Sequence, residues 1–263
     1  MTHRWDPAAY LVYADERGRP FVDLLARVPA VAPAVVVDLG SGPGNLTRLL
    51  LDRWPAATVR GVDSSPEMVA QARTSVPEAD FDVADLRAWV ASVPNGWVDV
   101  LVCNATLQWV PDHLDLLPGL LAVVAPGGWL AIQVPGNIAQ PSHTIRDELA
   151  AEPAYAEHTA GVPTPRAHDA ATYLAALQDR GCVVDAWETT YLHVLEGEDP
   201  VFAWISGTGA RPTLQALESA DPQLRIRFEE ELRRRLRAAY PPTSRGVVMP
   251  FRRVFVVARK RRD

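Results

Sequence analysis

The sequence predicts an α/β fold, a doubly wound and mostly parallel seven-stranded sheet with a helical lid inserted before the last strand. Three observations predict it. Short β-branched runs alternate with segments whose apolar residues recur at helical spacing. Turns rich in glycine and proline separate the two kinds of segment. After Pro135 the alternation breaks, and a long helical stretch then parts the last two strands.

Val35–Leu39 is a β-branched run that ends in Gly40-Ser41-Gly42-Pro43-Gly44, with Leu46, Leu49 and Leu50 at helical spacing behind it. It reads as strand, tight loop, helix. A second strand covers 58–62. In the Asp63-Ser64-Ser65-Pro66-Glu67 that follows, either serine can cap a helix running through Met68, Val69 and Ala72, with Pro66 in its first turn. Strands at 80–83 and 98–103 come next, then a helix over 113–124 and a strand over 129–134 behind Pro126-Gly127-Gly128. Right-handed crossovers would make these strands parallel.

Residues 136–166 are Pro-rich and read as irregular, a helix at 170–180 leads to a strand at 183–195, and 197–245 reads as largely helical. There Glu229/Arg233, Glu230/Arg234 and Glu231/Arg235 make i,i+4 pairs, with Leu224, Phe228, Leu232 and Leu236 on the apolar stripe. A strand at 251–258 closes the chain. The expected organisation is a single domain over 1–263. Its core covers about 30–135, 168–195 and 250–259; around it lie an N-terminal substrate-mouth segment (1–29), an insertion (136–167) and a lid (197–245).

The chain has 263 residues, 48% of them apolar, and a formal net charge of -6. That sign argues against nucleic-acid and anionic-membrane partners. The basic cluster Arg252-Arg253 and Arg259-Lys260-Arg261-Arg262 reads as a solvated strand end and tail. Lys260 is the only lysine, so an anion site must use guanidinium, whose fork suits planar carboxylates. Cys103 and Cys182 sit in apolar stretches without metal-ligand spacing, which predicts reduced core thiols and no metal. Neither a signal-peptide core nor an apolar run of membrane length is seen, and a cytosolic location is expected.

Ligands of such sheets bind beyond the carboxyl ends of the strands, where strand order reverses. Asp38-x-Gly40-x-Gly42-x-Gly44 falls there. A dinucleotide loop reads G-x-G-x-x-G and cradles a pyrophosphate. Here the spacing differs and a carboxylate ends the strand, repelling phosphate but suiting an ammonium. S-adenosylmethionine carries an ammonium and no phosphate. Asp63 closes the next strand, where an acid accepts from ribose hydroxyls. Asp85 follows the third; it would accept from the adenine amino group while Leu86 donates its backbone N–H, or it would simply cap a helix. Ser41, Ser64 and Asn104 complete the expected cofactor set.

These residues resemble the class I S-adenosylmethionine-dependent methyltransferases, whose Rossmann-like fold the predicted sheet matches. Trp5-Asp6-Pro7-x-x-Tyr10, Asn104-Ala105-x-Leu107-Gln108-Trp109-Val110-Pro111-Asp112-His113, Thr189-Thr190-Tyr191-x-His193 and the closing Pro250 to Ala258 segment are similar to the trans-aconitate 2-methyltransferase family. The likeness runs from Trp5 to Ala258. It departs at Ser41, where many relatives carry cysteine. It implies methyl esterification of a carboxylate of trans-aconitate or a similar small polycarboxylic acid, with S-adenosyl-L-homocysteine as the other product.

A carboxylate is ionised at neutral pH, so no general base is required, only position and exclusion of water. The expected walls are Trp5, Tyr10 and Trp109. Candidate clamps are Arg17, Arg19, Arg211, Arg252 and Arg253, led by Arg211 and Arg253. Tyr191, His193 and His113 are candidate donors, with Trp109 and His113 positioning the acceptor. Two other readings stay open: a methyltransferase for another small or carrier-bound acceptor, and a non-catalytic S-adenosylmethionine-binding module.

Overall fold

β-Branched residues pack well on a pleated surface, and the strands form where they cluster. The computed structural model describes residues 14–262. The chain divides into two compact units, one made of residues 14–135, Ala167–Thr189 and 253–262, the other of Gly136–Arg166 and Thr190–Arg252.

In the first unit α1 (Ala14–Ala26) is followed by β1 (Val35–Leu39), α2 (Thr47–Arg53), β2 (Thr58–Asp63), α3 (Pro66–Ser75), β3 (Asp80–Val83), α4 (Leu86–Ser92) and β4 (Val98–Asn104). Two 3-10 turns, Leu107–Trp109 and His113–Leu116, precede α5 (Leu117–Val123) and β5 (Val124–Pro135). The helix expected over 113–124 is thus split. Pro118 cannot donate a helical hydrogen bond, so the regular helix starts beside it. α1 was not foreseen: it contains Pro20, and its buried Phe21, Leu24 and Leu25 all lie after that residue. The first half therefore shows no apolar stripe.

The sheet is completed by β6 (Cys182–Leu195), preceded by α8 (Ala170–Gln178), and by β8 (Gly246–Lys260). Strand order is β3-β2-β1-β4-β5-β8-β6, and β7 (Pro242–Thr243) pairs with β8. Strands β1 to β5 are parallel and β8 is antiparallel to β5. An eighth strand joins the seven foreseen; β7, of two residues, is too short to leave a periodic signal. Order reverses between β1 and β4, which sets a crevice at their carboxyl ends.

The two faces of the sheet differ. One carries Val37, Leu101, Cys103, Leu130, Ile132 and Val256 against Trp89, Leu120, Tyr173 and Leu177 of α4, α5 and α8. Each such side chain contributes about 1.5–3 kcal/mol on burial. By register, Asp38, Asn104 and Gln133 fall on the other face. Lys260 secures the last strand by donating to Leu121 O and Val124 O at 2.8 Å, where α5 ends.

The second unit holds α6 (Pro141–Ala150) and α7 (Ala156–Thr159), in the stretch expected to be irregular, with α9 (Pro200–Ser206), α10 (Arg211–Ala220) and α11 (Pro222–Ala239). Buried Arg146 on α6 donates to Gly209 O at 2.6 Å and to Asp147 Oδ1. On α11, Phe228, Leu232 and Leu236 are buried and Leu224 only partly so. Arg233 pairs with Glu229 and Arg235 with Glu231 as spacing predicts, whereas Arg234 pairs with Glu231 three residues back rather than with Glu230. Both spacings bring side chains together on a helix. Among the described residues no helix is long and apolar enough to cross a membrane, and no group of acids, histidines and cysteines could hold a metal ion. Cys103 and Cys182 are free and buried.

Candidate active site

The loop between β1 and α2 is shaped by glycine where side chains would fail. Gly40 has φ +85°, and a Cβ there would lie 2.0 Å from Thr106 Oγ1. Gly42, at φ +56°, has open space around it and donates its N–H to Asp63 Oδ2 at 2.9 Å. The N–H groups of Gly40 and Ser41 donate to Val62 O at 2.7 and 3.0 Å. The loop is thereby stitched to the end of β2.

Asp38, 2% exposed, is the penultimate residue of β1 and accepts from Thr47 Oγ1 at 2.7 Å. Burial pushes its pKa up to about 7; the Thr47 hydroxyl opposes this and the Asp63 charge adds to it. A cation beside it would restore its charge. Asp63 is also raised by burial, against the lowering effect of the Ser65, Gly42 and Ser64 amides. Two N–H contacts at 2.9 Å, from Gly42 and Ser65, leave lone pairs for hydroxyl donors. Ser41 Oγ is buried with no partner. A buried acid suited to a cation, a second acid with spare lone pairs and an open glycine turn fit an aminoacyl nucleoside such as S-adenosylmethionine.

The remaining expected cofactor residues take distinct places. Ser65, not Ser64, caps α3 through its hydroxyl, with Pro66 at the first position. Asp85 caps α4, Oδ1 accepting from Arg87 N at 2.9 Å and Ala88 N at 3.2 Å. Leu86 begins that helix with its side chain in the apolar cluster. Its N–H stands in the first turn, where no intrahelical acceptor exists. Asn104 ends β4, 8% exposed, with Oδ1 unpartnered.

Of the expected acceptor residues, Trp5 and Tyr10 lie outside the described residues, as does the side chain of Arg17 on α1. Arg19 is exposed and Trp109 partly buried. His113 is 1% exposed, and both ring nitrogens meet protein groups: Nδ1 faces Val110 O at 3.3 Å and Nε2 the Tyr173 hydroxyl at 2.6 Å. These contacts, with Val110 and with Tyr173 of α8, give the ring a structural task. Arg253 is 6% exposed on β8, opposite Pro135 of β5.

Tyr191 and His193 belong to the second unit, where they stack at 6.1 Å in an aromatic cluster with Trp204 and Phe251. Arg211 opens α10 there, partly buried, and Arg252 donates to Gly136 O. Gln133 was not singled out from sequence, although it is 1% exposed with Nε2 unpartnered. A lone amide inside the apolar run 129–134 was the available signal.

Residues 36–128 match a family model described as a methyltransferase domain. The chain is 51% identical to a trans-aconitate 2-methyltransferase of Streptomyces avermitilis over 97% of both chains. It is also 51% identical to one of Streptomyces coelicolor, covering 97% of this chain and 86% of that one. Among solved structures, geranyl diphosphate C-methyltransferase from Streptomyces coelicolor matches with a TM-score of 0.54 at 16% identity, over 96% of this chain and 82% of that one. That likeness concerns the fold, and fold alone does not choose an acceptor.

Proposed function

The chain belongs to the trans-aconitate 2-methyltransferase family, and on that premise we propose that it forms a monomethyl ester on trans-aconitate or a similar small polycarboxylic acid. Kinship at 51% identity over 97% of the chain carries the reading. The geometry agrees with it. Asp38 would hold the ammonium of S-adenosylmethionine, Asp63 its ribose hydroxyls, and Gly40 to Gly44 would let the backbone come close. When bound, the cofactor supplies an electrophilic methyl group on a sulfonium.

The protein's own task is placement. An acceptor carboxylate is already ionised, so no side chain needs to remove a proton. His113, with both ring nitrogens engaged, is compatible with base-free chemistry. Arg253 would hold an acid group, since a guanidinium matches a carboxylate in shape and charge. Net charge of -6 and two free buried cysteines support a small-molecule enzyme of a reducing, cytosolic compartment.

An acceptor screen with a labelled methyl donor tests this, comparing trans-aconitate, citrate, isocitrate, malonyl carriers and neutral alcohols. A base-labile product from trans-aconitate is expected. Turnover confined to neutral alcohols or carriers would sink the proposal.

A further inference from the structure

Gln133 lies two residues before the end of β5, flanked on one side by Asn104 of β4 and on the other by Phe255 of β8. Along its own strand the same-face neighbours are Ala131 and Pro135, since side chains alternate with period two. Of these four neighbours only Asn104 can form a side-chain hydrogen bond, and it does not: Gln133 Nε2 and Asn104 Oδ1 both stay unpartnered. Buried polar groups are nearly always satisfied, and each exception calls for a cause. Arg253, opposite Pro135, shares this face one rung on, within diagonal reach.

The unpartnered atoms have opposite needs. Asn104 Oδ1 accepts, which suits the cationic, hydroxyl-bearing donor expected at the β1–β4 crevice. Gln133 Nε2 donates, and the register places a second donor residue, Arg253, diagonally across on the same face. An amide donor with a guanidinium on the same face suits a carboxylate. We propose that Gln133 is a specificity-determining residue that donates through Nε2 to a carboxylate oxygen of the acceptor, beside Arg253. This rests on the esterification reading above and assigns it an acceptor-binding residue.

Gln133→Leu, which removes the amide at similar volume, and Gln133→Glu, which sets a like charge against the acid, test the assignment. The KM for trans-aconitate should rise about tenfold or more in the first, as expected on losing a hydrogen bond to a charged group, and further in the second. Calorimetric affinity for S-adenosylmethionine should stay within twofold. Thermal stabilisation by trans-aconitate of the S-adenosylhomocysteine-loaded protein should shrink in parallel. Should Gln133→Leu fail to fold, Gln133→Asn, which withdraws the amide by one methylene, gives the same readings. An unchanged KM in folded variants overturns the proposal and leaves Gln133 a structural residue. Weaker cofactor binding at unchanged KM overturns it too, by turning the amide toward the donor. A wild-type protein that esterifies no polycarboxylate overturns the reading beneath, whereas an active wild type with indifferent variants overturns this inference alone.

Discussion

The Asp63 carboxylate accepts the Gly42 N–H at 2.9 Å, so the acid ending β2 and the loop leaving β1 hold each other in place. Its other oxygen takes the Ser65 N–H, also at 2.9 Å. Removing the carboxylate should therefore release the loop and, on the proposed reading, also take away the ribose acceptor. Asp63→Ala should weaken S-adenosylmethionine binding about 100-fold, the size expected for losing hydrogen bonds to a charged group. Titration calorimetry reads this directly, and an unaltered affinity would remove Asp63 from the site.

Asp38 predicts a pH dependence. Below pH 3.8 both folded and unfolded chains carry its proton; between 3.8 and about 7 only the folded chain does. The Asp38 contribution to stability accordingly declines as pH rises through that window and is level above it. In denaturant melts, Asp38→Asn should flatten that slope relative to wild type. An ammonium favours the ionised acid, so cofactor binding below about pH 7 should release a proton. Calorimetry at pH 6 in buffers of differing ionisation enthalpy detects it, and buffer-independent heats would count against the pairing.

Arg253→Ala should raise the KM for polycarboxylates by about 10–100-fold, the scale of losing a charged partner in a buried site. Affinity for S-adenosylmethionine should hold within twofold. Steady-state kinetics beside calorimetry separates the two constants. If KM does not move, the acid is held elsewhere.

His113→Phe should act on stability and spare turnover. The substitution strands the Tyr173 hydroxyl and frees Val110 O, a loss of about 1–3 kcal/mol by denaturant titration. Burial holds the imidazole pKa below its usual value, which favours the neutral ring. kcat should stay within a few-fold from pH 6 to 9. A folded variant inactive at every pH would point instead to proton transfer.

The strand-turn-helix periods of β1 to β5 were legible because glycine loops and β-branched runs mark them locally. Asp38 and Asp63 were legible for the same reason: each stands at a strand end that the pattern locates. α1 was hidden by Pro20, which leaves the apolar stripe only after that residue. The helical character of 136–166 was hidden by its prolines, one of which opens α6 at Pro141. His113 showed a polar residue at a helix start, but its engagement with Tyr173 spans sixty residues of chain, a distance that periodicity does not read. Gln133 went unnoticed because its meaning depends on β8, which pairs with β5 from more than a hundred positions away.

The unlike faces of the central sheet give anyone redesigning this protein two independent dials. Substitutions among Val37, Leu101, Ile132 and Val256 work through cohesion, so robustness can be raised there while the reverse side of the same strands is left alone. On the proposed reading, changes at Gln133 or Arg253 on that reverse side would retune which acid is taken up. Acceptor preference and heat tolerance can therefore be evolved in separate libraries and recombined.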